Sequence, residues 1–158
     1  MKQWIKEKIF PSMITGISMG LLFIFLNRGI SGLVLISSLG ASAYIICDYP
    51  DIRAAKLRVV IMAYFFATLM GFAAALFFNQ TMAIILAVAL TSIFMLETKN
   101  SHPPAVGAAF AFILEKHTFI GVLETMASVL ALLIIAKFLI YLYREEFHLH
   151  KFHHEFLK

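Results

Sequence analysis

VVIMAYFFATLMGFAAALFFNQTMAIILAVALTSIFML, residues Val59–Leu96, runs for 38 residues without an Asp, Glu, Lys or Arg. A helix needs about 20 apolar residues to cross a hydrocarbon core of about 30 Å. The run is two such lengths, and the polar pair Asn79-Gln80 lies near its middle. It reads as two helices, 58–78 and 81–97, joined by a tight turn. Charges divide the rest of the chain in the same way. Lys8 to Arg28 encloses 19 uncharged residues and Arg28 to Asp48 another 19. Lys99 to Glu115 encloses 15, and Glu124 to Arg144 encloses 19 interrupted only by Lys137. The further segments are 9–27, 30–47, 103–120 and 121–143. The apolar part of 103–120, Pro103 to Leu114, is too short to cross alone.

The expected fold is all-α: a polytopic membrane helical bundle, residues 1–158 forming one transmembrane domain. It has about six membrane-embedded elements, four firm spans plus two shorter or broken ones at 30–47 and 103–120. Composition agrees. Hydrophobic residues make up 61% and charged residues 14%, with mean hydropathy +0.89, against roughly 45–50% and about 25% in soluble domains. The basic pI of 9.3 comes from 13 Lys and Arg that form no dense patch, so nucleic acid is not an expected partner. Cys47 is the one cysteine, which excludes an internal disulfide framework and a cysteine-based zinc site. The first apolar stretch lacks an A-x-A cleavage site at Asn27-Arg28-Gly29 and reads as an uncleaved helix.

Positive charge orients the bundle. With six crossings and both termini cytoplasmic, ten Lys and Arg face inward (Lys2, Lys6, Lys8, Arg53, Lys56, Arg58, Lys99, Arg144, Lys151, Lys158) and two, Arg28 and Lys116, outward. If 30–47 and 103–120 instead dip in and return, the division is six and six. The rule selects six crossings, in the cell (inner) membrane. Halves 1–78 and 81–147, followed by a His-rich tail at 148–158, then give a 3+3 inverted repeat as a topological expectation.

The sharpest local feature is Ser101-His102-Pro103-Pro104-Ala105. Proline forces its predecessor out of helical geometry, and at the first helical position it starts a helix well. A helix opening at Pro103-Pro104 would carry unpaired N–H groups at its first turn, a site for an anion. An ordinary cytoplasmic loop with a proline-initiated helix would read the same. His102 could donate to an anion or carry a proton with it, or simply cap the helix. Thr98, Asn100 and Ser101 precede it as uncharged hydrogen-bonding groups. The second feature is Ser37-Ser38-Leu39-Gly40-Ala41-Ser42-Ala43. Small residues in a membrane helix allow tight packing. The alternative is a local break whose N–H groups and hydroxyls face a cavity.

Gly40-Ala41-Ser42-Ala43, Pro50 and Arg53, followed by Glu97-Thr98 and His102-Pro103-Pro104-Ala105, resemble the two signatures of the HPP family of integral membrane proteins. The resemblance extends in order and spacing over about 10–145. Val106 stands where many relatives place glycine after the alanine. The family is described as having four spanning helices. The resemblance implies a membrane transporter, and some plant members are associated with nitrite transport into plastids. The substrate-binding candidates are therefore Ser38, Gly40, Ala41, Ser42, Thr98, Asn100, Ser101, His102, Pro103, Pro104 and Ala105. Lys137, the one charge deep in a strong span, joins them as a cation facing the pathway; its other reading is a stem that snorkels to the interface.

Arg53, Lys56 and Arg58 read as a topology signal. In the tail, His150 and His154 have metal-ligand spacing, but Phe147, Phe152 and Phe156 favour an interfacial helix. No metal or other cofactor is expected. The leading function is transport of a small inorganic anion, nitrite or nitrate first, held at helix N-termini near His102-Pro103-Pro104. The alternative is a membrane assembly or structural subunit without transport. A bis-histidine haem protein is disfavoured, because His102 and His117 fall on opposite sides. No Ser/His/Asp or HExxH arrangement suggests an enzyme. The expected partners are the anion, the lipid bilayer and further copies of the chain.

Overall fold

The computed structural model describes residues 9–25, 33–116 and 118–156. Among them are six helices: α1 (Phe10–Phe25), α2 (Leu33–Asp48), α3 (Leu57–Phe77), α4 (Gln80–Glu97), α5 (Pro104–Leu114) and α6 (Phe119–Phe156), with a 3-10 turn at Arg53–Ala55 between α2 and α3. No strand occurs among the described residues. The 38-residue run divides where expected. Asn79 accepts a hydrogen bond from the Met82 N–H at 3.1 Å and caps α4. At the other end α4 closes on Lys99, whose φ of 55° is left-handed, and α5 is followed by Lys116 at 53°. Both positions are ones where glycine is usual.

Three helices are long and apolar enough to cross a membrane: α3, α4 and the Phe119–Tyr143 part of α6. The remaining apolar helices are shorter among the described residues. Helix α1 has 16 described residues, about 24 Å at 1.5 Å per residue, as does α2. Helix α5, with 11 residues, is shorter still. The backbone of α6 continues through the histidine-rich stretch to Phe156, so 148–156 extends the last helix. The tail side chains, His117 and the basic residues Lys2, Lys6, Lys8 and Arg28 lie outside the described residues.

Helix α5 is wrapped by α2, α3 and α4, while α6 lies against α1, α2 and α3. Lipid tails are as apolar as leucine, so close packing must hold membrane helices together. The buried faces are accordingly small. Helix α3 turns inward Ala63, Ala67, Gly71 and Ala74, and α5 answers with Ala105, Ala108, Ala109 and Ala111. Large side chains such as Phe77, Leu96 and Ile134 face outward. At Gly71 the two backbones nearly touch: an added Cβ would lie 2.5 Å from the Ala109 carbonyl oxygen and 2.9 Å from Phe112 Cβ. Polar contacts fix the shorter helices. Thr15 on α1 donates to Asp48 at the end of α2 at 2.9 Å, and the Val34 N–H opening α2 donates to Glu115 beyond α5 at 3.0 Å.

Gly71→Ala should therefore cost about 1–3 kcal/mol, because backbone cannot yield as a side-chain tip can. Gly40→Ala, with nothing within 4 Å of the new methyl, should be neutral or gain up to about 1 kcal/mol of helix propensity. Thermal unfolding in detergent compares the two; equal melting temperatures would refute the close-approach account.

Candidate functional site

The connection between α4 and α5 carries His102 into the bundle, where the side chain is fully buried. The two prolines fold it back. Ala105 N–H bonds the His102 carbonyl at 3.0 Å and Val106 N–H bonds the Pro103 carbonyl at 3.1 Å. The imidazole thus points toward α2 and the 3-10 turn. Nδ1 lies 2.8 Å from the Ala54 carbonyl, and Nε2 lies 2.8 Å from Ser42 Oγ. Ser42 Oγ is 2.7 Å from the hydroxyl of Tyr64 on α3, which is 2.7 Å from Ser38 Oγ. Ser38 donates to the Pro104 carbonyl at 2.6 Å. The Tyr64 and His102 rings are tilted across each other with centroids 5.8 Å apart. One buried cluster therefore joins α2, α3, the 3-10 turn and the start of α5.

Of the candidates from the sequence, Ser38, Ser42, His102 and the Pro104 carbonyl meet here, with Ala105 buried beside them. Gly107 closes on Ser38, 3.2 Å from its own would-be Cβ to Ser38 Cβ. Others do not join. Ala41, Ser101 and Pro103 are exposed, and Gly40 and Asn100 are half-buried. Thr98 is exposed and donates back to the Phe94 carbonyl at 2.6 Å. Lys137 is exposed on α6 and does not join the cluster.

One further expectation is corrected. Residues 37–43 form no break: α2 is continuous from Leu33 to Asp48, and Ser42 Oγ approaches the Ser38 carbonyl at 3.0 Å within it. Some helix-start groups are engaged within the fold. The prolines have no N–H, the next two N–H groups of α5 bond the connection's own carbonyls, and the Glu115 carboxylate takes the Val34 N–H at the start of α2. Sequence reasoning passed over Tyr64. Its signal was present, since it is the one tyrosine within the 38-residue apolar run, and a buried tyrosine hydroxyl needs a partner. The Ala54 carbonyl has no sequence signal. Among the described residues no three His, Cys, Asp or Glu side chains are grouped to hold a metal ion.

A family model described as "HPP, transmembrane region" matches residues 3–147. The chain belongs to the HPP family. No curated protein and no solved structure matches it. The motif residues of this HPP protein divide by role: His102 supplies the side chain, while Pro103 and Pro104 shape its approach and Pro104 supplies an acceptor.

A proton count shows what the HPP cluster can do. A carbonyl only accepts, so Nδ1 carries a proton toward Ala54, and a neutral ring presents a lone pair at Nε2. Ser38 gives its proton to Pro104, and Tyr64 must then give its own to Ser38. Ser42 has one proton and three acceptors around it: Nε2, the Tyr64 oxygen and the Ser38 carbonyl. With a proton on Nε2 the contacts of 2.6–2.8 Å are filled in one direction, from His102 to Ser42, Tyr64, Ser38 and Pro104, and only the 3.0 Å approach of Ser42 to the Ser38 carbonyl lacks a proton. The cluster is one proton short of that state. Burial opposes the extra charge and pushes the imidazole down to about 4 from 6.5, partly offset by the bond to Ala54. Desolvation is the larger effect, so His102 is neutral at pH 7 in this arrangement.

The sign of the pH dependence follows. Between 6.5 and about 4 the unfolded chain binds a proton that the folded chain refuses, so stability falls as pH falls through that window. Melting temperature should drop more steeply from pH about 7.5 to about 5 for the unaltered protein than for His102→Gln. Parallel curves would assign the titration elsewhere.

Proposed function

We propose that this HPP-family membrane protein transports a small inorganic anion, nitrite or nitrate first, and that the His102–Ser42–Tyr64–Ser38 cluster couples its passage to a proton. The observation that carries the reading is the fully buried His102, bonded through hydroxyls to two helices of a membrane bundle. An ionisable group at such a place is expensive and marks function more often than packing. Protonation of His102 is refused in this arrangement and becomes favourable when an anion arrives to share the site. Each ligand then raises the affinity for the other by the same factor. Hydroxyl and imidazole donors replace the helix-start N–H groups as the anion's partners. The same proposal places the chain in the cell membrane with both termini cytoplasmic. It takes 1–78 and 81–147 as inverted halves, 148–158 as the tail and a homo-oligomer as the working unit.

Proteoliposome uptake of nitrite, nitrate and chloride, with and without an inward proton gradient, tests this. Saturable uptake of one anion should rise with the gradient. His102→Gln should abolish the gradient response. Tyr64→Phe should lower uptake about tenfold, the scale of one lost bond to a charged partner, while keeping the fold. No uptake of any of the three would turn the reading toward an assembly subunit.

A further inference from the structure

Thr91 on α4 has no exposed surface, and its hydroxyl oxygen has no hydrogen-bond partner. It stands apart from its counterparts. Thr68, Thr125 and Ser128 are equally embedded in helices, and each donates to the carbonyl of its residue i−4. A buried polar group left unpaired in a membrane protein has to be explained, because hydrocarbon supplies no substitute for water. Thr91 belongs to the face formed by Ala83, Ala87, Thr91 and Met95, the buried residues of α4. The upper end of this face opens into a cleft of about 490 Å³ between α3, α4 and α5. Phe72, Phe78 and Ile113 make its apolar walls, and Gln80 and Lys116 are its polar groups. Ala83 lines it too, and Thr91 lies eight residues further along α4, about 12 Å.

We infer that the Ala83–Ala87–Thr91 face of α4 is part of the solute path, with the cleft as its vestibule and the Thr91 hydroxyl as a ligand for the solute. The inference rests on the transport reading above. The solute class is a small hydrogen-bond acceptor, and the Lys116 ammonium at the vestibule favours an anion. The path is shut in this structure, since Ala83, Ala87 and Thr91 are all fully buried. Methyl-sized side chains let α4 close tightly on its neighbours, yet leave a passage when the helices part. The unpaired hydroxyl is the group a solute would satisfy in passing.

The single cysteine makes the test direct. In a Cys47→Ala background, Ala83→Cys, Thr91→Cys and the outward-facing Ile93→Cys are exposed in proteoliposomes to a charged, membrane-impermeant methanethiosulfonate. Thr91→Cys should react at least about tenfold faster than Ile93→Cys, because a path conducts water and lipid does not. In parallel, Thr91→Val should melt no lower than the unaltered protein, since removing an unpaired group of the same shape costs little. It should lose about tenfold or more of anion uptake, the scale of one bond to an ion, and Thr91→Ser should retain it. Reactivity of Thr91→Cys no greater than that of Ile93→Cys, or full uptake by Thr91→Val, overturns the inference. Fast labelling in a protein that moves none of the three anions would support the path and refute the anion.

Discussion

Everything in this bundle depends on how closely α3 can approach α5. Gly71 lies against the Ala109 carbonyl with no room for a methyl group. Alanines line both helices on either side of that point. In water such a seam would contribute little, for alanine buries little area. In a bilayer the comparison changes: lipid competes for apolar surface, and only dense packing discriminates between helix and lipid. The short helix α5 can then be held on three sides by α2, α3 and α4. Its proline-marked start is fixed deep enough for His102 to reach Ser42.

Polar groups inside such a structure have few options. Most here use the nearest carbonyl, as Thr68, Thr125 and Ser128 do. Asp48 and Glu115 are put to structural use at the ends of α2, joining it to α1 and to the residue after α5. Different from these, among the described residues, are the His102 cluster, which has too few protons for its contacts, and Thr91, which has no contact for its proton. Both are departures from a satisfied interior.

The helices were legible because hydrophobic length is a one-dimensional property. The Asn79-Gln80 turn, the helix starting at Pro104 and the order of six elements follow from where charges and prolines interrupt apolar sequence. Span count was less legible. The absence of charge marks an apolar stretch but does not by itself fix where a helix begins. His102, Ser38 and Ser42 were readable as polar groups in unusual places. Their neighbours Ala41, Ser101 and Pro103 were named with them, because adjacency in sequence does not say which side of a helix or loop faces inward. Lys137 carries the same ambiguity: a charge in a span marks either a pathway or a long stem reaching for the interface.

By itself the sequence determined a helical membrane protein of the HPP family, with its turns and its motif. Hydrocarbon thickness and the cost of charge act on every segment independently of its neighbours. Only the tertiary structure decided that Tyr64 and the Ala54 carbonyl complete the His102 cluster, that Glu115 takes the Val34 N–H of α2, and that Thr91 is left unpaired. Those facts depend on distances between segments far apart in the chain. Hydrogen bonds, unlike hydropathy, are properties of pairs.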